Sequence, residues 1–368
     1  MGAYTEVDYD DNIYLVQTNA EADVLLHTGL TAGFDWQATA LTDLSLNTEI
    51  GYLHYLRHSE MDSLEVAPNS ALAWNIYFDD GYVSFFDQFT YSQSVISEAA
   101  LSGIASLPRF DNNVGTRITW SPGKWLWQAG YSHDIYYSDS SQFNYLNRAS
   151  EYVFARGARR FAENTEVGVE ASASLTTYEV TSQGRNSSVS IGPFLEWQLT
   201  PATHITLRGG PTFYKFDGPG QTAQTGTVGS YYLNLDLGQQ LTDSLSHHAS
   251  VARNVSLGIN QGSGYLEEFT AGYAVSWSVT QRIGLTISAS YEHGNQTLQN
   301  LVTVFPGFNV LVNQTEIYDR YGFAPSVSWR ATDHLSASLS YNHYLRDSTL
   351  ADRGYSQNSV GLRLTYSF

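Results

Sequence analysis

The closing stretch Val360-Gly361-Leu362-Arg363-Leu364-Thr365-Tyr366-Ser367-Phe368 decides the fold. Val360, Leu362, Leu364, Tyr366 and Phe368 share one parity, and Gly361, Arg363, Thr365 and Ser367 share the other. Successive strand side chains point to opposite faces, so this is a strand with one apolar face and one small or polar face. Moving upstream, Leu335, Ala337, Leu339 and Tyr341 alternate with Ser336, Ser338, Ser340 and Asn342. Ile283, Leu285, Ile287, Ala289 and Tyr291 alternate with Gly284, Thr286, Ser288, Ser290 and Glu292. Near the front, Leu26, Leu30, Phe34 and Trp36 oppose His27, Gly29, Gly33 and Asp35.

Soluble sandwiches alternate too, so the chemistry of the two faces has to discriminate. The polar face is rich in Gly, Ser and Thr with scattered charges, as a wet lumen requires. The apolar face ends in aromatics: Trp36, Trp120, Trp125, Trp197, Trp277, Trp329 and Tyr366 sit beside short turns. Amphipathic rings belong at the level of lipid headgroups, and their clustering at one end of many strands reads as a girdle.

Turn spacing extends the pattern. Short connections are expected near residues 40–43, 79–81, 121–124, 162–164, 200–203, 242–244, 280–281 and 331–333. Longer polar loops are expected at 59–66, 93–107, 138–143, 181–186, 217–227, 260–264, 295–313 and 347–354. Alternating short and long connections, with runs long enough to cross a bilayer at a tilt, give a transmembrane antiparallel up-and-down β-barrel of about 18 strands. It occupies residues 1–368 as a single domain, with an N-terminal strand near 4–10 and a closing strand near 356–368. An even count places both termini in the periplasm. Two runs, around 82–91 and 152–161, have no clean parity, and a β-bulge is expected in each. Arg253 interrupts an otherwise apolar face between Val251 and Val255.

Composition sets the outer bounds. The chain has 368 residues, no cysteine and 26 tyrosines. Its mean hydropathy of −0.26 reflects cancellation between two faces and excludes transmembrane helices. A net charge of −18 excludes nucleic acid as a partner, since a phosphate backbone needs a basic face. Met1-Gly2 reads as an added start on a mature chain, because no signal segment precedes the polar sequence. No catalytic fingerprint is present, so an enzyme is not expected, nor is a cofactor or metal. Asp8, Asp10, Asp11 and Asn12 offer calcium-type oxygens but lack the spacing and Glu of a calcium loop, and read as a solvated acidic turn.

The end Gly361–Phe368, with a terminal Phe after alternating apolar residues, resembles the assembly signal of bacterial outer-membrane proteins. Leu362, Leu364, Tyr366 and Phe368 carry it. Tyr9-Asp10-Asp11-Asn12-Ile13-Tyr14, with the turn sequences Trp197-Gln198-Leu199-Thr200 and Trp329-Arg330-Ala331-Thr332-Asp333-His334-Leu335, resembles the β-barrel porins encoded in exopolysaccharide gene clusters. The resemblance implies an outer-membrane location and a conduit that exports a polysaccharide. It implies as partners outer-membrane lipid and lipopolysaccharide, the barrel-assembly machinery and a periplasmic polysaccharide-export protein. The barrel's size alone favours the alternative, a diffusion porin for small hydrophilic solutes.

Parity assigns the lumen wall. Its acids are Asp35, Glu49, Asp111, Asp134, Glu170, Glu196, Asp236 and Glu292, and its arginines are Arg117, Arg208, Arg320 and Arg363. Tyr55, Tyr77, Tyr214 and Tyr232 are inward aromatics suited to stacking on sugar faces. A mixed wall without an arginine ladder suits neutral or weakly charged solutes. The segment 295–313, with its apolar centre from Leu301 to Val310, is the expected constriction or lid; the competing readings are a hairpin extension above the membrane or a subunit contact.

Overall fold

The computed structural model describes residues 1–180, 185–217, 226–260, 263–305 and 308–368, with 299–311 described as backbone only where they are included. Strands β1 (Gly2–Asp10), β2 (Asp23–Thr39) and β3 (Thr42–Tyr55) lead into β4 (Ser63–Val66) and β5 (Ala71–Phe78). β3 pairs with both β4 and β5, so these two short strands are halves of one stave. Fourteen more strands follow: β6 (Gly81–Ser92), β7 (Arg109–Trp120), β8 (Trp125–Tyr137), β9 (Arg148–Ala162), β10 (Thr165–Tyr178), β11 (Arg185–Thr200), β12 (Thr203–Asp217), β13 (Gly226–Thr242), β14 (Leu245–Leu257), β15 (Tyr265–Ser278), β16 (Ile283–Phe305), β17 (Phe308–Arg330), β18 (Leu335–Ser348) and β19 (Tyr355–Ser367). Each pairs antiparallel with its neighbours in chain order, and β19 returns to β1 from Gly2↔Ser367 to Asp10↔Ser359. The result is a closed barrel of eighteen staves. Closure is what permits a sheet to cross lipid, because it leaves no unpaired edge.

A recurring side-chain device builds the short turns. Thr39, Thr200, Thr242, Thr280 and Thr332 each accept a backbone N–H from a residue two or three positions on. A hydroxyl used this way stabilises a tight turn without a backbone partner. At three of these turns the ladder shifts register just before the Thr, at Gln37/Thr39, Gln198/Thr200 and Gln240/Thr242. The aromatics of the girdle stand at this turn end. Trp36, Trp120, Trp125, Trp277, Trp329 and Tyr366 are all exposed on the outer surface, as are Leu362, Leu364 and Phe368 of the closing strand.

Several expectations change. The bulge expected around 82–91 is not there, since β6 pairs with β7 without a shift; that expected around 152–161 is confined to its last residue, where the β9–β10 register slips past Phe161 while β9 stays in register with β8. The parity is mixed because aromatics occupy both faces. Phe85 points outward, whereas Phe86, Tyr152 and Phe154 stand on the lumen wall. The expected loop 59–66 contains a short 3-10 turn, Ser59–Met61, and then strand β4. Segments 181–184, 218–225 and 261–262 of the expected loops lie outside the described residues. Arg253 does face outward, but not unpaired: it lies 4.0 Å over the Tyr231 ring and 3.1 Å from Glu267.

The largest change concerns 295–313. Its backbone is not a loop but the distal half of a hairpin, with β16 and β17 paired from Ile283↔Trp329 to Phe305↔Phe308. β15 pairs with β16 as far as Gln296, and β18 pairs with β17 from Tyr318. Beyond those points the two arms pair only with each other among the described residues. The side chains from 299 to 311, to which the expected docking referred, lie outside the described residues.

Candidate functional site

The segment between β6 and β7, expected as an ordinary polar loop at 93–107, folds into the barrel. Val95, Ala99, Ala100, Leu101 and Leu107 are buried in a cluster with Leu15, Phe143, Leu146, Ile259, Leu266, Tyr318 and Tyr355. These partners come from the loops after β1, β8 and β14 and from strands β15, β17 and β19, on other sides of the ring. Leu107 N–H donates to the Gln93 carbonyl at 2.9 Å, drawing the two ends of the loop together. Gly103 N–H donates to the Leu15 carbonyl at 2.9 Å, which ties it to the inward-folded first loop.

A chain crossing a lumen carries backbone carbonyls that need donors. Here the far wall supplies them as guanidinium and amide groups. Arg320 Nη1 donates to the Ile96 carbonyl at 2.6 Å, Arg346 Nε to Ala99 at 2.8 Å and Arg353 Nη2 to Ala100 at 2.8 Å. Asn260 Nδ2 adds a second donor to Ala100 at 2.9 Å. Glu316, with a fully buried side chain, holds this clamp. It accepts from Arg346 and Arg353 at 2.8 Å each, from Ser348 at 2.7 Å and from Gln296 at 2.8 Å. Arg320 is set by Glu292 at 3.0 Å. On the near side Arg109 donates to the Ser94 carbonyl at 2.7 Å and lies 3.7 Å from Glu98. Burial pushes the Glu98 carboxyl above the ordinary carboxylate range, and the Arg109 charge only partly offsets it.

Cavities lie along the inner wall, and one of them reaches this loop. One, of about 350 Å³, is lined by Arg117, Arg156, Arg208, Glu170, Tyr232 and aromatic neighbours on β7 to β13. The rings seat the arginines. Phe154 lies flat over Gly130, where a β-carbon would collide with it, and Phe86 over Gly115 in the same way. Arg117 stands between these rings, 5.8 and 5.7 Å from their centroids, while Arg156 is 3.6 Å over Phe194. Arg156 is paired with Glu196, but Arg117 and Arg208 have no carboxylate within salt-bridge distance among the described residues. A second cavity of about 560 Å³ is lined by Asp111, Asp134 and Arg148. A third, of about 420 Å³ on the opposite side, contains Asp8, Asp10, His27, Tyr55 and Glu65 against Val95 and Ile96 of the loop.

The residues singled out by parity are thus dispersed over several environments. Arg117, Glu170, Arg208 and Tyr232 come together, and Tyr232 Oη donates to Glu170 at 3.0 Å. Glu49 is bidentate to Arg363, at 3.0 and 2.9 Å. Asp111 pairs with Arg109 at 3.3 Å, and Asp134 receives Asn113. Glu292 and Arg320 belong to the loop clamp. Asp236 meets His248 at 2.8 Å, and Asp35 shares the inner face of β2 with His27 towards the turn end. Tyr77 stands against Tyr82 with ring centroids 5.7 Å apart. Two tyrosines are unavailable for stacking on a solute. Tyr55 is packed beneath the loop region with Ile13 and Met61, and Tyr214 donates to the Val255 carbonyl at 2.7 Å beside Phe216.

The absence of an arginine ladder also needs correcting, because Arg117, Arg156 and Arg208 converge on one wall. Asp10 to Asn12 form no solvated turn. Buried Asn12 donates to the carbonyls of Val16 and Ser356, and Asp11 accepts from Asn358, so the segment fastens the first loop to β19. Sequence reading missed the loop core and the group Glu316, Arg346 and Arg353. The available signal was the apolar string Val95-Ile96 and Ala99-Ala100-Leu101, which lacks strand periodicity.

The chain matches no protein-family model and no curated protein. Among solved structures it is similar to Pseudomonas aeruginosa OpdK with vanillate, at 10% identity and a TM-score of 0.50, covering 100% of this chain and 98% of that one. OccK2 (OpdF) of the same organism, in complex with glucuronate, gives 12% and 0.50 with the same coverage. A BenF-like porin from Pseudomonas fluorescens Pf-5 gives 10% and 0.51, again covering 100% and 98%. At these identities the likeness is one of fold.

Proposed function

We propose that this chain is an outer-membrane channel of a Gram-negative-type bacterium that passes small hydrophilic solutes, with a preference for those carrying a carboxylate. The short turns and both termini face the periplasm in this reading. The observation that carries it is the basic compartment on the lumen wall, where Arg117 and Arg208 have no carboxylate within salt-bridge distance among the described residues and stand among aromatic rings. A planar guanidinium offers a carboxylate two parallel hydrogen bonds. OpdK and OccK2, which share the fold, have as their bound molecules vanillate and glucuronate, each a small carboxylate.

The loop core lies across the lumen, and the compartments along its wall have the size of small solutes. A polysaccharide cargo is therefore the less favoured reading. The test is the reversal potential of the purified protein in planar bilayers under a salt gradient, with block by added benzoate. Arg117→Gln with Arg208→Gln should shift selectivity towards cations and weaken the block. No channel activity, or selectivity and block unchanged by the double variant, contradicts the proposal. The exposed series Leu362, Leu364, Tyr366 and Phe368 serves assembly in the same reading, so deleting Phe368 should lower outer-membrane levels far more than Ser367→Ala.

A further inference from the structure

The four Tyr-x-His tripeptides of the chain are Tyr52-Leu53-His54, Tyr131-Ser132-His133, Tyr291-Glu292-His293 and Tyr341-Asn342-His343, each preceded by Gly or Ser. All four build the same unit with an acceptor from the next stave or the turn before it. Tyr131 Oη lies 2.5 Å and His133 Nδ1 3.0 Å from the Glu151 carboxylate. Tyr291 and His293 reach one oxygen of Asp319 at 2.7 and 2.9 Å. Tyr341 and His343 reach Asn358 Oδ1 at 2.7 and 2.9 Å, and Tyr52 and His54 reach Asp62 at 3.3 and 2.6 Å.

These units are on the outside of the barrel. Tyr52 and Tyr131 are exposed, and so are Tyr321 and Val360, the cross-strand partners of Tyr291 and Tyr341. Each unit stands towards the loop side of its strand's outer face, with outward Tyr137 on β8 and Leu345 on β18 still beyond it. On β18 the outward series from the turn runs Leu335, Ala337, Leu339, Tyr341, His343, and on β16 Ile283, Leu285, Ile287, Ala289, Tyr291, His293. Tyrosine marks the headgroup boundary of a spanning strand. The histidine two residues on, about 6.6 Å further along the strand, then stands within the headgroup layer.

The geometry also fixes which ring nitrogen is free. Asn358 Nδ2 donates to Asp11 at 2.7 Å, so its Oδ1 is the atom facing Tyr341 and His343, and an amide oxygen only accepts. An ionised carboxylate likewise only accepts. Nδ1 therefore carries the proton in all four units, and Nε2 is left without a partner among the described residues. A carboxylate or amide behind a histidine orients the ring and raises the basicity of its far nitrogen.

We propose that the four units are docking points for phosphate groups on the glycolipid headgroups of the surrounding leaflet. Nε2 and a phosphate oxygen share one proton in each contact. This inference rests on the reading that the loop end faces the outer leaflet, because a phosphorylated glycolipid is met there. In the three acidic units the carboxylate is already engaged by two donors, which limits its repulsion of the incoming anion.

The test is native mass spectrometry of the purified full chain in detergent, counting retained diphosphorylated lipid A against its dephosphorylated form. The variant replaces His54, His133, His293 and His343 by Gln and keeps every tyrosine. A control replaces His247, which faces outward near the turn end and is held by Gln239 at 2.9 Å. Folding of each is checked by heat-modifiability. The expected result is loss of up to four phosphorylated lipids in the fourfold variant only. Single variants should each weaken retention about tenfold, as for one charge-assisted hydrogen bond. Equal retention by wild type and fourfold variant overturns the proposal. So does equal loss of both lipid forms, or a changed oligomeric state with lipid binding unchanged. Channel activity of the same variant in neutral bilayers is read separately, so failure of the channel reading is distinguishable from failure of this one.

Discussion

Two segments at the loop end of the barrel invite comparison. Both are long and apolar, yet one builds a ladder beyond the sheet and the other crosses the lumen. In the hairpin of β16 and β17 the two arms continue the register of the strands below, so alternate backbone groups of each arm pair across the hairpin and the rest face away from it. The segment from Gln93 to Pro108 has no such periodicity, and its carbonyls at Ile96, Ala99 and Ala100 are satisfied by arginines of the far wall. The difference teaches that apolar content alone does not say which segment enters a lumen. What matters is whether the backbone can be satisfied locally or must be satisfied by the wall.

The comparison can be broken most forcefully at the clamp. Arg346→Ala leaves the buried Glu316 short of its main partner, and removing one member of a buried pair costs about 3–5 kcal/mol. The expected outcome is a loop that leaves its seat, seen as larger and noisier single-channel currents and faster proteolysis within residues 94–106. A smaller effect is expected from Leu101→Ala, which hollows the loop's apolar core at a cost of about 2–5 kcal/mol. Its heat-modifiability midpoint should fall while the current rises only slightly. Trimming residues 299–313 to a short turn should change neither quantity measurably, since no neighbouring strand pairs with those arms among the described residues.

The smallest effect concerns acidity. With its carboxyl raised by burial, Glu98 binds a proton more tightly when the loop is seated than when it is free. Seating is therefore favoured as pH falls from the raised value towards the ordinary carboxylate value, and disfavoured as pH rises through that window. Current noise should drop over this range in the wild type. In Glu98→Gln the dependence should vanish, which noise spectra at stepped pH would check.

How much of this was legible follows from the range over which each feature is determined. The strands were legible because parity is local and the registers run unbroken through the spanning segments. The short turns were legible for the same reason: the Thr hydroxyl acts within two or three residues. The loop across the lumen was not, because Arg320, Arg346 and Arg353 stand more than two hundred residues from the carbonyls they meet. The wall arginines were half legible. Parity turned Arg117 and Arg208 inward, but their convergence with Arg156 depends on Phe86, Phe154 and Phe194 lying over glycines of neighbouring strands. The mixed parity of 82–91 and 152–161 was the mark of those rings and was read as bulges. The Tyr-x-His repeat was visible as letters, whereas its acceptors come from the following stave or turn.

The central claim is that residues 94–106, and not the distal hairpin, restrict the lumen. Because Gln93 and Leu107 are already joined by a backbone hydrogen bond, that segment can be replaced by a short glycine link without moving β6 or β7. Single-channel conductance in planar bilayers, compared between this deletion and the trimmed hairpin, tests the claim directly. A severalfold rise for the first with no change for the second is the predicted result. Unchanged conductance in a properly folded loop deletion, or a rise on trimming the hairpin, would contradict it.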